Sequence, residues 1–216
     1  MEEYIEKTLE NLRKNNMEAF YAKDAEEAKE MLRGFLGEGD EITVGGSVTL
    51  YKTGILEMLK TGPYKYYDRY EKGLSREETA EIFRKAFTCD DYISSSNAIT
   101  ENGELYNVDG NSNRVAAILY GPKRVFIVAG KNKIVKDINE AVRRVKTLAA
   151  PKNCERLKKQ TPCSVNGGCI SLSKEEPLIC EGCRTSERIC CNYVISAMQR
   201  QKGRITVIII DEEIGY

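Results

Sequence analysis

No histidine occurs among the 216 residues. That absence removes imidazole-based serine or cysteine triads, zinc sites of mixed Cys/His type and any proton shuttle built on histidine. An excess of charge is missing as well: 33 Lys+Arg balance 33 Asp+Glu. A dominant electrostatic partner such as duplex nucleic acid is therefore not expected. Nor is there a long hydrophobic run. The longest, Ile205 to Ile210, is interrupted only by Thr206 and is far too short to span a bilayer. The opening Met1-Glu2-Glu3-Tyr4 lacks the basic-then-apolar layout of a signal peptide. The expectation is a soluble, cytoplasmic chain without nucleic-acid or membrane partners.

What is present is enough apolar residue to form a core, and a cysteine cluster. Hydrophobic residues are 41%, and a chain of this length buries about 70% of its unfolded surface. Helix and strand signals alternate through the first 150 residues. Ile5, Leu9 and Leu12 recur at helical spacing, and Asp24 with Glu27 caps a helix carrying Ala28, Met31, Leu32 and Phe35. Ile42–Val44 reads as a buried strand, Leu50–Leu59 as a helix and Tyr64–Tyr67 as a strand. Ser75 with Glu78 caps a helix bearing Ala80, Phe83 and Phe87. Asp91–Ser94 is a strand, and Asn102-Gly103 is a hairpin turn between Ala98-Ile99 and Leu105-Tyr106. A helix over Asn113–Tyr120, a strand over Arg124–Ala129 and a helix over Ile134–Ala149 ending before Pro151 follow. Tyr193–Gln199 reads as helical. Arg204–Asp211 reads as a strand buried on both faces and hence inside the sheet. The pattern predicts one α/β domain over 1–216 with a mostly parallel sheet flanked by helices, and a cysteine-rich insertion over 152–191.

Three polar loops follow predicted strands. In Val44-Gly45-Gly46-Ser47-Val48-Thr49, glycines let backbone N–H groups approach an anion, and Ser47 and Thr49 add hydroxyls. The loop lacks the lysine of a Walker A motif and the third glycine of a dinucleotide fingerprint, and a plain capped turn explains it equally well. The second loop holds Asn97, Glu101, Asp109 and Arg114. Glu101 and Asp109 are candidate acid/base or cation-binding carboxylates, and Arg114 a candidate clamp for a carboxylate or phosphate; turn formation alone accounts for the hairpin itself. The third is Gly130-Lys131-Asn132-Lys133. Loops after parallel strands gather along one edge of a sheet, where α/β proteins hold ligands. That points to a shared crevice for a small anion, lined by Gly45, Gly46, Ser47, Thr49, Asn97, Arg114 and Asn132, with Glu101, Asp109, Lys131 and Lys133 as acid/base candidates.

Seven of the eight cysteines lie between residues 154 and 191. Cys89, standing alone, reads as a small buried hydrophobe. Cys180-Glu181-Gly182-Cys183 is a C-x-x-C pair, with Cys190 seven positions on and Cys163 upstream. Thiolates so spaced suit a structural zinc, an iron–sulfur cluster or a redox dithiol without metal. The spare cysteines Cys154, Cys169 and Cys191 favour a cluster over zinc.

The runs Ser96–Leu105, Asn107–Gly110, Asn113–Ala116, Tyr120–Lys123 and Val128–Val135, with Val44–Leu50 and Arg204–Ile208, resemble the lactate-utilization (LUD) domain family over nearly the whole chain. The resemblance implies a fold like that of glucosamine-phosphate isomerase, ribose-phosphate isomerase and CoA transferases, in which the glycine loop commonly holds a phosphate or CoA-like group. Pro162-Cys163, Cys180–Cys183 and Arg188-Ile189-Cys190 are similar to the short, cysteine-rich branch found in anaerobic bacteria. Ile170–Ile179 looks like an insertion, which leaves open whether Cys169 or Cys180 is the equivalent ligand. Better-studied members work in operons that oxidise lactate to pyruvate, where larger relatives carry separate ferredoxin-like segments; this chain has no C-x-x-C-x-x-C-x-x-x-C-P run, so the resemblance does not extend to oxidising lactate by itself.

Two functions follow. In the first, the chain is a redox component in hydroxy-acid metabolism. A 4Fe–4S cluster sits on Cys163, Cys180, Cys183 and Cys190, Arg114 or Lys133 holds the acid's carboxylate, and a redox partner protein exchanges electrons. In the second, a binding or transferase-like domain uses the glycine loop for a phosphate or CoA group, and its cysteines hold structural zinc or nothing. The oligomeric state is open, a homodimer included.

Overall fold

The computed structural model describes residues 1–175 and 178–216; Glu176 and Pro177, within the insertion expected at 170–179, lie outside the described residues. Two sheets carry the architecture. Isoleucine and valine fill β10 (Ile205–Ile210), every residue of which is buried. Its neighbours are β1 (Glu18–Ala22) and β7 (Arg124–Gly130), both parallel to it. Beyond β7 come β4 (Asp91–Ser94), β2 (Glu41–Val44) and β3 (Lys65–Tyr66), giving a six-stranded, wholly parallel sheet in the order β1-β10-β7-β4-β2-β3. The expectation of a strand buried on both faces inside the sheet is met by β10, between β1 and β7.

Side-chain alternation sorts these strands between two cores. Val125, Ile127, Ile205, Val207 and Ile209 pack on α1 (Glu3–Lys14) through Ile5, Leu9 and Leu12. Phe126, Val128, Ile208 and Ile210 face the other way, onto Ala28 and Leu32 of α2 (Ala25–Phe35) and Leu50, Ile55 and Leu59. Truncating one of these, Ile208→Ala for example, costs about 2–5 kcal/mol. Asp24 accepts from the Glu27 N–H and starts α2 as its sequence indicates.

The helix expected over Leu50–Leu59 is two helices, α3 (Val48–Lys52) and α4 (Ile55–Thr61). Gly54 between them has a left-handed φ of 73°, a conformation that breaks a helix and that glycine adopts without strain. Both hydrogen bonds of the Ser75/Glu78 capping box form and start α5 (Arg76–Lys85). Its apolar side is only half-buried, with Phe83 under the Arg69 guanidinium at 4.5 Å.

A second, four-stranded sheet has the order β8-β5-β6-β9. The Asn102-Gly103 hairpin joins β5 (Ala98–Thr100) to β6 (Leu105–Asp109) antiparallel. Residues Tyr193–Gln199 are not a helix: Asn192–Ser196 form β9, which pairs antiparallel with β6. Tyr193, Val194 and Ile195 are strand formers, and the long-range partner that recruits them decides the outcome. After α6 (Asn113–Leu119) and β7, the expected long helix begins late. Ile134–Val135 form β8, and Asp137 caps α7 (Ile138–Arg144). Helical winding then continues past Pro151, through a widened turn at Val145–Ala149 and into α8 (Ala150–Arg156). A proline ring clashes with the carbonyl four residues back in an ordinary helix; widening the preceding turn removes that clash. Beyond α8 lie α9 (Pro162–Asn166) and irregular chain. Among the described residues no helix is long and apolar enough to cross a membrane.

Candidate functional site

In a parallel sheet the carboxyl ends of all strands open on the same side. The loops after β2, β4 and β7 meet there at one atom. Lys133, just past β7, donates from Nζ to Thr49 Oγ1 at 2.9 Å and to Ser95 Oγ at 3.0 Å. Thr49 lies in the first turn of α3 and Ser95 directly follows β4. Lys133 is 3% exposed and lines a crevice of about 620 Å³. Burial pushes its ammonium down to about 7, and the guanidiniums of Arg144 and Arg114 act in the same direction. Among the described residues no carboxylate pairs with it. Gly215 passes so close that a Cβ there would stand 2.3 Å from Thr49 Oγ1 and 3.4 Å from Lys133 Nζ.

Arg114 is buried beside this point, but its N–H groups are turned on the protein. Nη1 donates to the Ser95 carbonyl at 3.1 Å and to Asn107 Oδ1 at 2.6 Å. Nη2 donates to Asn97 Oδ1 and the Val108 carbonyl, both at 2.9 Å, and Nε lies 3.5 Å from Asp109 Oδ2. The expected clamp on a ligand is thus an internal brace between α6 and the second sheet. Asp109 lines the crevice and also accepts from the backbone N–H groups of Ser112 and Val115. Asn97 lines it too, its Oδ1 shared between Arg114 and the Val108 N–H. Arg144 donates from Nη1 to the Asn97 carbonyl at 2.6 Å, while its buried Nη2 has no partner.

The two glycines of the first loop differ in role. The Gly45 N–H donates to the Ile93 carbonyl, and a Cβ on Gly45 would meet Ser94 Oγ at 2.4 Å. Gly45 therefore serves sheet packing and not anion binding. Gly46 faces the crevice beside the Arg69 guanidinium, and Ser47 caps α3 by accepting from the Leu50 N–H. Glu101 stands apart from the crevice, on the hairpin, paired with Lys7 at 2.8 Å. Lys131 also stands apart, paired with Asp211 at 2.7 Å and Glu2 at 2.9 Å. Asn132 holds the C-terminal segment, donating to the Gly215 carbonyl and accepting from the Ile214 N–H. These residues match turn or tethering roles and are not part of the crevice lining.

The cysteine segment closes around a small cavity of about 30 Å³. Five thiols line it: Cys154 on α8, Cys163 on α9, and Cys169, Cys183 and Cys190 on irregular chain. Cys180, the expected partner of Cys183, is exposed and outside this lining, and Cys169 stands in its stead. Cys154 and Cys163 bring their sulfurs to 3.8 Å. All eight cysteines are free thiols. Cys89 is buried against Thr43, as a small apolar residue would be. Burial pushes the Cys154 thiol up to about 11 and Cys190 up to about 12, the neighbouring thiols adding to both.

Among the described residues, no group of three or more Cys, Asp or Glu has the spacing of a single-ion site. Two cations line the cavity beside the thiols. Buried Lys146 donates to Ser171 Oγ and the Leu178 carbonyl. Arg188 donates to the carbonyls of Cys180, Cys183 and Cys190, each at 2.8 Å. No carboxylate among the described residues pairs with either.

Cavity and crevice share a wall made of Val145, Ala150, Arg188, Ile189 and Cys190. It is strapped to β6 by the Cys191 N–H, which donates to the Asp109 carbonyl at 3.0 Å. Ser95 belongs to the polar stretch Ser94–Asn97 that directly follows a strand, a place where its sequence marks it as a ligand-side residue, whereas Arg69, Arg144, Lys146 and Arg188 carry no such mark, because their roles come from contacts distant in sequence.

Comparison with curated protein sequences finds no match. Among solved structures, the chain is similar to a DUF162 family protein from Deinococcus radiodurans. That likeness covers 96% of each chain at 12% identity, with a TM-score of 0.52, and is one of fold. It is also similar to eIF2B delta from Chaetomium thermophilum, with 18% identity, 55% of this chain and 49% of that one covered, and a TM-score of 0.34. For ribose 5 phosphate isomerase A from Neisseria gonorrhoeae the figures are 17%, 58% and 63%, again with a TM-score of 0.34. The LUD domain family model matches residues 5–210, a span that takes in both sheets, the crevice and the cysteine cavity. The chain belongs to the LUD domain family.

Proposed function

We propose that this chain is a redox component acting on a small hydroxy acid such as lactate, with a 4Fe–4S cluster held by Cys163, Cys169, Cys183 and Cys190. The observation that carries this reading is the shared wall: Cys190 belongs both to the thiol cavity and to the crevice that contains Lys133. When bound there, the cluster would supply one-electron transfer beside the crevice.

The chain's own residues supply the rest. The guanidiniums of Arg144 and Arg114, close enough to Lys133 to depress its pKa, attract the acid's carboxylate. Oxidation of a 2-hydroxy acid to a 2-oxo acid releases two electrons and two protons. Lys133, poised near neutral pH, accepts the hydroxyl proton; the C2–H bond breaks as the C=O bond forms, its proton passing to water, and the two electrons would leave one at a time by way of the cluster. A partner redox protein is the final electron acceptor.

The test is anaerobic purification followed by iron, acid-labile sulfide and zinc analysis, then addition of short 2-hydroxy and 2-oxo acids. About four iron and four sulfide per chain, with a visible spectrum altered by those acids, is expected. Zinc without sulfide would contradict the reading, as would a cluster indifferent to every acid.

A further inference from the structure

Lys133 is unlike the other lysines of the crevice wall and rim. Lys159 is paired with Glu187 at 3.1 Å. Lys133 has two neutral hydroxyls, Thr49 and Ser95, and lies near two guanidiniums. An ammonium here lacks any counter-charge among the described residues. A neutral amine has a free lone pair at the floor of a 620 Å³ crevice. Desolvation and neighbouring cations are what turn a lysine into a nucleophile.

We propose that Lys133 captures the carbonyl carbon of a small 2-oxo acid as an imine. The inference rests on the crevice being the ligand site, as read above, and does not need the cluster. The Nζ lone pair forms the C–N bond while the C=O π pair moves to oxygen. A proton passes from nitrogen to that oxygen, giving a carbinolamine. The C–O bond then breaks with loss of water as the C=N bond forms. Amine and carbonyl compound become imine and water, and nothing is oxidised or reduced. In a chain without histidine, the hydroxyls of Thr49 and Ser95, 2.9 and 3.0 Å from Nζ, stand where these protons must be relayed. The nearby guanidiniums of Arg114 and Arg144 draw in the carboxylate and disfavour the ammonium form that would block attack.

The full chain is incubated near neutral pH with cyanoborohydride and, in separate samples, pyruvate, glyoxylate and 2-oxobutyrate. Adducts are read by intact mass and peptide mapping. The expected result is a reduced adduct on Lys133 with at least one of the acids, formed ahead of any exposed lysine and lost in Lys133→Arg. Because mapping on the unmodified sequence identifies the lysine directly, the result does not depend on the variant folding. No adduct with any of the three acids, or labelling spread over exposed lysines without Lys133, overturns the proposal. Iron and sulfide are measured in the same samples. Adduct without cluster keeps the nucleophile and removes the redox reading; cluster without adduct does the reverse.

Discussion

Nη1 of Arg114 donates to Oδ1 of Asn107 at 2.6 Å, joining the first turn of α6 to the middle of β6. With the bonds to Ser95, Asn97 and Val108, this contact fixes the loop after β4 against the second sheet, and so fixes Ser95 beside Lys133. A lysine cannot reproduce the planar fork of donors. Arg114→Lys is therefore expected to lose about 2–5 kcal/mol of stability, since several buried acceptors are left unpaired. Chemical unfolding checks it, and a variant as stable as the parent would show that Arg114 is no brace.

Lys133 makes stability depend on pH. Its folded pKa is depressed to about 7 from an ordinary 10.5. Between those values the unfolded chain binds more protons than the folded one, so this group makes stability rise with pH across the window. Below about pH 7 both states carry the proton, and the cost of burying it is present in full. Lys133→Met is expected to flatten the rise and to gain most, relative to the parent, at the low end. Urea midpoints measured from pH 6 to pH 10 test this, and parallel curves for the two proteins would contradict it.

Arg188 gathers the carbonyls of Cys180, Cys183 and Cys190 around one guanidinium. Residues that orient metal ligands typically change metal retention by about 10–100-fold when replaced. Arg188→Gln is expected to shorten the lifetime of bound iron by about tenfold or more, with little change in unfolding of the two sheets. Iron release to a chelator, followed beside circular dichroism, separates those effects. Unchanged release would remove Arg188 from the ligand-holding role.

Much of the fold was legible because the decisive signals are local. Ile205–Ile210 announces an interior strand by uninterrupted β-branched residues, Asn102-Gly103 a hairpin, and Asp24 and Ser75 their helices. Errors arose where distant partners decide. β9 is a strand because β6 recruits it, and Pro151 stays helical because the turn before it widens. The crevice was legible in part. The loops after β2, β4 and β7 do converge, as strand ends in a parallel sheet must, and Lys133 lies at the convergence. Glu101 and Asn132 share the polar character of site residues but are held by Lys7 and the C-terminal segment. No spacing rule reveals that Arg114 spends its donors inside the protein. Nor could spacing choose between Cys169 and Cys180, because which thiols share the cavity is decided by contacts distant in sequence.

The most direct test of the account is the iron and acid-labile sulfide content of Cys169→Ser and Cys180→Ser, purified without oxygen beside the parent chain. Cys169 lines the thiol cavity and Cys180 does not. The parent and Cys180→Ser are expected to retain about four iron and four sulfide per chain, and Cys169→Ser to lose them. Loss in Cys180→Ser with retention in Cys169→Ser, or no sulfide in any of the three, would contradict it.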